Sequence, residues 1–234
     1  MTDTHAHLDA CEEPADELVA RAREAGVRTI VSVGSGLESC RETLAIAARH
    51  EAVFAALGIH PHQAADADAD RLAELRELLD ADSAVAVGET GLDYYRDYAP
   101  RDRQLALFER QLELATELGK PVVVHTRAAS NDTAAALEPF VGTVVLHCFS
   151  APQLLRVRVC DVEELRDAAR VVPADRLLVE TDSPYLSPQP RRGRPNEPAN
   201  VVHTAAVLAT ARGTDPAALS AQLDANAAAA FVLP

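Results

Sequence analysis

Seven short runs of β-branched and small apolar residues recur along this 234-residue chain, and most are followed by a stretch rich in Ala, Leu, Glu and Arg. The runs are Met1–His5, Thr29–Val33, Val53–Ile59, Ala84–Glu89, Val122–His125, Val144–His147 and Leu177–Asp182. The intervening sequence predicts helices over about 14–25, 37–50, 70–80, 101–118, 131–139, 161–170, 200–212 and 216–231. Strands that alternate with helices run parallel, because each crossover carries the chain back to the same end of the sheet. Such a sheet is covered by helices on both faces or closes into a βα-barrel. No Gly-rich phosphate loop follows the first run, which argues against dinucleotide binding. No linker interrupts the chain, so a single domain over 1–234 is expected, with the prolines of 184–198 forming an ordered loop.

The polar residues that end these runs carry the chemistry. In a parallel barrel the C-terminal strand ends form the rim where active sites are built. His5 and His7 are two apart, so a strand points both imidazoles to one side. By the same alternation Val85, Val87 and Glu89 share a face, as do Val123 with His125, Val145 with His147, and Leu178 and Glu180 with Asp182. Taken singly, each has a plain reading as a capped histidine, a solvated carboxylate or a helix cap. Several strands that all end in His, Glu or Asp point instead to a shared metal site. Imidazole nitrogen and carboxylate oxygen together suit two divalent ions, with Glu89 as a bridge; Zn, Mn and Mg all fit such a set. No thiolate group of the structural-zinc kind is present.

Six segments are more specific still: Thr4-His5-Ala6-His7-Leu8-Asp9, Gly58-Ile59-His60-Pro61-His62, Gly88-Glu89-Thr90-Gly91-Leu92-Asp93-Tyr94-Tyr95, Pro121-Val122-Val123-Val124-His125-Thr126-Arg127, His147-Cys148-Phe149 and Glu180-Thr181-Asp182-Ser183-Pro184-Tyr185-Leu186. In this order they resemble the successive signatures of the TatD family over nearly the whole chain. The resemblance implies a TIM-type barrel of the metal-dependent hydrolase superfamily and a divalent-metal deoxyribonuclease, often a 3′→5′ exonuclease. It implies metal roles for His5, His7, Glu89, His125, His147 and Asp182, and it places His60 at the substrate. Asp182 is then the expected general base and Glu89 the residue that spaces the ions. The expected substrate is DNA, single-stranded or at 3′ ends.

Phosphate also needs cations from the chain. Arg127 lies two positions after His125, with a surface ion pair as its other reading. Arg191 and Arg192 belong to the densest cationic cluster, Pro190–Pro198, which otherwise balances local acids. The planar guanidinium pairs well with phosphate oxygens. Tyr94, Tyr95 and Tyr98 could stack on an unpaired base or pack into the core. Cys148 reads as a small buried hydrophobe.

The resemblance breaks at one place. Only Ser150–Asp161 separates Phe149 from the helix expected near Val162, too short for a parallel crossover plus a strand, although Leu155–Val159 alternates like a strand remnant. About one βα unit is expected to be missing there. The missing segment keeps open the reading of a non-catalytic metal-binding remnant, and a small-molecule or aminoacyl-ester amidohydrolase on the same metal mouth is a further alternative.

Composition narrows the setting. Net charge is −14 and Lys120 is the single lysine, a balance that keeps a protein hydrated in concentrated salt and argues against broad nonspecific nucleic-acid binding. No apolar run is long enough to span a bilayer and the charged start is unlike a signal peptide, so a cytoplasmic protein without membrane contact or an obligate protein partner is expected. The four cysteines form no closely spaced pair and read as free thiols.

Overall fold

A computed structural model describes residues 1–148, 169, 170 and 172–234. Six parallel strands follow one another in sequence order: β1 (Thr2–Ala6), β2 (Thr29–Ser35), β3 (Val53–Gly58), β4 (Ala84–Asp93), β5 (Val122–Arg127) and β6 (Val144–Leu146). Every strand pairs in parallel with its successor. Helices α1 (Ala15–Glu24), α2 (Leu37–Ala47), α3 (Leu72–Leu79), α4 (Arg101–Leu118) and α5 (Ser130–Leu137) make the crossovers, and α6 (Val201–Arg212) and α7 (Pro216–Phe231) close the chain. This is the TIM-type βα-barrel architecture expected from the alternation. The expected helix over 161–170 and the Leu155–Val159 alternation lie outside the described residues, apart from helical Ala169 and Arg170. So does the stretch where the missing unit was expected.

The expected strand Leu177–Asp182 is not a regular one. It lies along the free edge of β1, where the Thr4 amide donates to Val179 O (3.1 Å), the Asp182 amide to His5 O (2.9 Å) and the His7 amide to Ser183 O (2.7 Å). Only Ala6 and Ser183 form a β-bridge. A side chain takes over part of the ladder: the Thr181 amide donates to Asp3 Oδ1 at 2.9 Å. Asp182 then has φ +56°, a left-handed conformation that Asp tolerates better than most residues.

The core has an inner and an outer layer. Val31, Val33, Ala56, Ala86, Val123 and Val145 pack inside the curled sheet, and Phe231 at the end of α7 reaches in among them. Outside, one cluster joins β3–β5 to α2–α4, and another joins β1, β2 and Val179 to α1, α6 and α7. Strict alternation in β4 is corrected by this layering. Ala86 belongs to the inner layer and Val87 to the outer one, so Val87 and Glu89 do not share a face by simple parity. The β4–β5 register shifts between Val87 and Thr90, and that irregularity turns Glu89 inward.

Helix α4 fixes the strand ends through two buried glutamines. Gln111 Oε1 accepts from the Ile59 amide (2.8 Å), while its Nε2 donates to Ile59 O (3.0 Å) and Thr90 Oγ1 (2.7 Å). Gln104 Oε1 accepts from the Asp93 amide (2.8 Å), and its Nε2 donates to Ala99 O (2.8 Å). Buried amides are costly unless paired, so these bonds set where β3 and β4 stop.

Phe231 is 1% exposed, so Phe231→Ala should leave a cavity inside the sheet and cost about 3–5 kcal/mol. Urea denaturation of the two proteins measures this, and a loss below about 1 kcal/mol would show that Phe231 does not fill the interior.

Candidate metal centre

The strand ends bring all six expected ligands together. His5 Nε2 and His7 Nε2 are 3.2 Å apart. Glu89 Oε2 lies 3.7 Å from the first and 3.8 Å from the second. Asp182 Oδ1 lies 3.9 Å and 3.6 Å from the same two nitrogens. The other oxygen of Glu89 faces a second set: Oε1 is 2.9 Å from His125 Nδ1, 3.4 Å from His147 Nε2 and 3.6 Å from His60 Nε2. One carboxylate therefore spans two donor groups, and the stacked rings of His5 and His147, 3.7 Å apart, join them at the back.

This donor set fits divalent cations. Ligands about 2.0–2.2 Å from one ion stand roughly 3.0–3.4 Å apart in tetrahedral or octahedral geometry. His5 Nε2 and His7 Nε2 lie 3.2 Å from one another and 3.6–3.9 Å from Glu89 Oε2 and from Asp182 Oδ1, so the two imidazoles can share an ion with either carboxylate after a small contraction. His7 Nδ1 lies 3.0 Å from Val33 O; donation there leaves the Nε2 lone pair facing the group. His5 Nδ1 is buried and has no hydrogen-bond partner among the described residues.

Charge and burial oppose each other here. Burial pushes the Glu89 carboxyl up, but His147, His60 and His125 around it hold it well below the usual carboxylate range. Burial drives the His5 imidazole well below its ordinary value, and that of His60 down as well. Burial also works against a charge on His147, yet Glu180, with Oε1 3.1 Å from Nδ1, and Glu89 raise its pKa to about 10. Without metal the centre is thus a carboxylate surrounded by imidazoles, and His147 carries a proton that metal binding must displace.

Supporting residues surround this cluster. Asp93 is buried; its Oδ2 is 3.2 Å from His125 Nε2 and 2.9 Å from His62 Nε2, and its Oδ1 accepts from the amides of Tyr95 and Arg96, both at 2.9 Å. Sequence reasoning gave Asp93 no role, yet Glu89, Gly91 and Asp93 alternate, and extending β4 past Gly91 would have found it. Gly91 is needed there: its φ is +130° and a Cβ would run into the His125 carbonyl. Asp3, also without an assigned role, is fully buried and accepts from Thr181 Oγ1 at 2.6 Å, tying β1 to the segment that carries Asp182. Burial raises its pKa to about 8.

The cluster floors a cavity of about 620 Å³. Arg127 lines it, its guanidinium 4.1 Å above the Tyr95 ring, and so does Arg96, which sequence reasoning missed. His60 lines the wall beside Glu89. Arg191 and Arg192 are exposed and lie outside this wall. Tyr94 is partly buried and donates to Asp132 (2.8 Å), whereas Tyr95 and Tyr98 are exposed. Cys148 is exposed at the cavity, not buried: its backbone has φ +43°, and its amide donates to Glu180 Oε1.

Comparison with known proteins agrees with this geometry. The family model for TatD-related DNases matches residues 2–232. The chain belongs to the TatD-related DNase family. It is 39% identical to the 3′-5′ ssDNA/RNA exonuclease TatD of Cronobacter sakazakii, with 93% of this chain and 91% of the relative covered. It is 36% identical to an uncharacterized metal-dependent hydrolase, YcfH, of Escherichia coli K12, covering 91% and 88%. Among solved structures, the TatD homologue YjjV of Escherichia coli K12 superposes with a TM-score of 0.89 at 28% identity, covering 100% of this chain and 98% of that one. The chain is thus a hydrolytic enzyme of a metal-dependent family. No helix among the described residues is long and apolar enough to cross a membrane.

In the metal-free protein His147 should stay protonated until about pH 10, and Glu180→Gln should lower that value, as NMR of the imidazole protons will show. Because the folded value lies above the unfolded one of about 6.5, the pair's stabilisation is complete below about pH 6.5 and is lost as pH rises through the folded pKa. An unchanged His147 titration in Glu180→Gln would refute this pairing.

Proposed function

We propose that this enzyme hydrolyses phosphodiester bonds of single-stranded DNA, removing nucleotides in the 3′→5′ direction, with two divalent ions of Mg, Mn or Zn. The observation that carries the reading is Glu89, whose two oxygens face separate donor sets. His5, His7, Glu89 and Asp182 would hold one ion, and Glu89, His125 and His147 the other. Bound ions would acidify water and neutralise charge on the phosphoryl oxygens. The nuclease activity in the name of the Cronobacter relative supports the substrate class.

The chain's own groups supply the rest. Asp182 is 14% exposed at the cavity floor, so a water there can give it a proton as the water oxygen attacks phosphorus and the P–O bond to the leaving sugar oxygen breaks, that oxygen taking a proton from solvent. His60 lies beside Glu89 and would steady a non-bridging oxygen. Arg127, held by stacking on Tyr95, and Arg96 face the cavity and would pair with phosphate. Asp93 receives two backbone amides and in turn fixes the rings of His62 and His125. Arg191 and Arg192 follow the cavity-lining turn and would meet the polynucleotide away from the reacting phosphate.

Asp182→Asn should keep the fold and lower kcat on end-labelled single-stranded DNA by about 10²–10⁴-fold. Wild type and variant should be digested side by side with Mg, Mn or Zn in concentrated salt. Equal cutting by both would remove Asp182 from its role, and no cutting by wild type with any of the three ions would remove the nuclease reading. Chelation should abolish cleavage and lower Tm, because ions that bind only the folded state stabilise it. An identical Tm with and without saturating metal would argue against the centre.

A further inference from the structure

Among the described residues the cavity has two unlike walls. On the His7–Asp182 side stand Ala10, Tyr185 and Leu186; Tyr185 is 55% and Leu186 67% exposed. On the His125–Asp93 side stand Arg96 and Arg127. The apolar wall is held firmly although it faces solvent. Buried Asn196 donates through Nδ2 to Thr181 O (2.8 Å) and Tyr185 O (2.7 Å), and the Tyr185 amide donates to Asp182 O (2.8 Å). The Tyr185 ring meets the His7 ring edge to face at 5.9 Å. A large aromatic side chain left in water on a pinned turn loses little freedom when it binds, which suits it to stack a flat partner.

We infer that Tyr185 and Leu186 form a nucleobase subsite for the 3′-terminal nucleoside, while the arginine wall takes the phosphates of the chain that leads away. The inference rests on the nuclease reading above and adds an order to it. A phosphodiester over Glu89 lies between the walls, so its two flanking groups meet different chemistry. An unpaired base presents an apolar face that stacks on Tyr185 whatever its identity. The sugar–phosphate chain is anionic, and in a protein of net charge −14 it would be drawn to the side where Arg96 and Arg127 face the cavity. Duplex ends offer no free base face at this wall, so single strands are preferred.

The test compares two end-labelled single-stranded oligonucleotides, identical except that one carries an abasic tetrahydrofuran residue at its 3′ end. Wild type should prefer the intact end in kcat/KM by about tenfold or more, the size expected for one stacked base. Tyr185→Ala and Tyr185→Leu should both erase that preference, and Tyr185→Trp should keep it. An abasic residue at the 5′ end should not create a preference in any of the proteins. If the alanine and leucine variants still cut but keep the wild-type preference, the subsite is overturned and the nuclease reading stands. If wild type cuts neither oligonucleotide, the nuclease reading fails and the subsite falls with it.

Discussion

A single buried carboxylate organises this enzyme. Glu89 is 3% exposed, and burying a charge at that depth is costly unless partners surround it. Its partners are imidazoles from β1 and β5, from the residue after β6, from the turn after β1 and from the position two residues beyond β3. The barrel can keep Glu89 ionised only if those strand ends arrive together. The two glutamines of α4 serve that requirement from outside by fixing where β3 and β4 end. Asp3 serves it from the other side by joining β1 to the segment of Asp182. Much of the polar interior is thus scaffolding for one carboxylate.

The ring around Glu89 also explains why the supporting groups are acidic. Glu180 beside His147 and Asp93 beside His125 both favour a charged or strongly polarised imidazole. Carboxylate–imidazole pairs of this kind orient a ligand and raise its basicity. A cluster of histidines without them would repel itself on protonation and rotate freely. Among the described residues Arg96 and Arg127 stand at the cavity wall, so the anionic chain places its guanidinium groups there and not at the floor.

Much of this was legible in the sequence. Alternating runs announced parallel strands, and His5, His125 and His147 follow from the two-residue period of their strands, whereas Asp182 sits on an irregular segment with a left-handed backbone. That period failed at Glu89, which faces inward because of a register shift that no spacing reveals; its motif, not its parity, identified it. Asp93 was hidden because the strand was taken to end at Glu89, and Asp3 because a buried acid near the start of a strand looks like any other polar residue. Cys148 was read as a small buried hydrophobe, as free cysteines usually are, whereas it is exposed at the cavity with a left-handed backbone. The arginine cluster at 190–194 drew attention by density, yet distance in the fold is not density in sequence: Arg96 and Arg127 reach the cavity and Arg191 and Arg192 do not.

The segment from Leu177 to Ser183 lies against the first strand although most of the chain separates them. On the ribosome, β1 to β6 emerge long before that segment, so Glu89, His125 and His147 can be assembled while His5 and His7 still border an open edge. One part of this donor set can therefore come together during synthesis, and the rest must wait for the last quarter of the polypeptide. Assembly of the cavity floor then has a built-in order, set by how far apart its side chains lie along the chain.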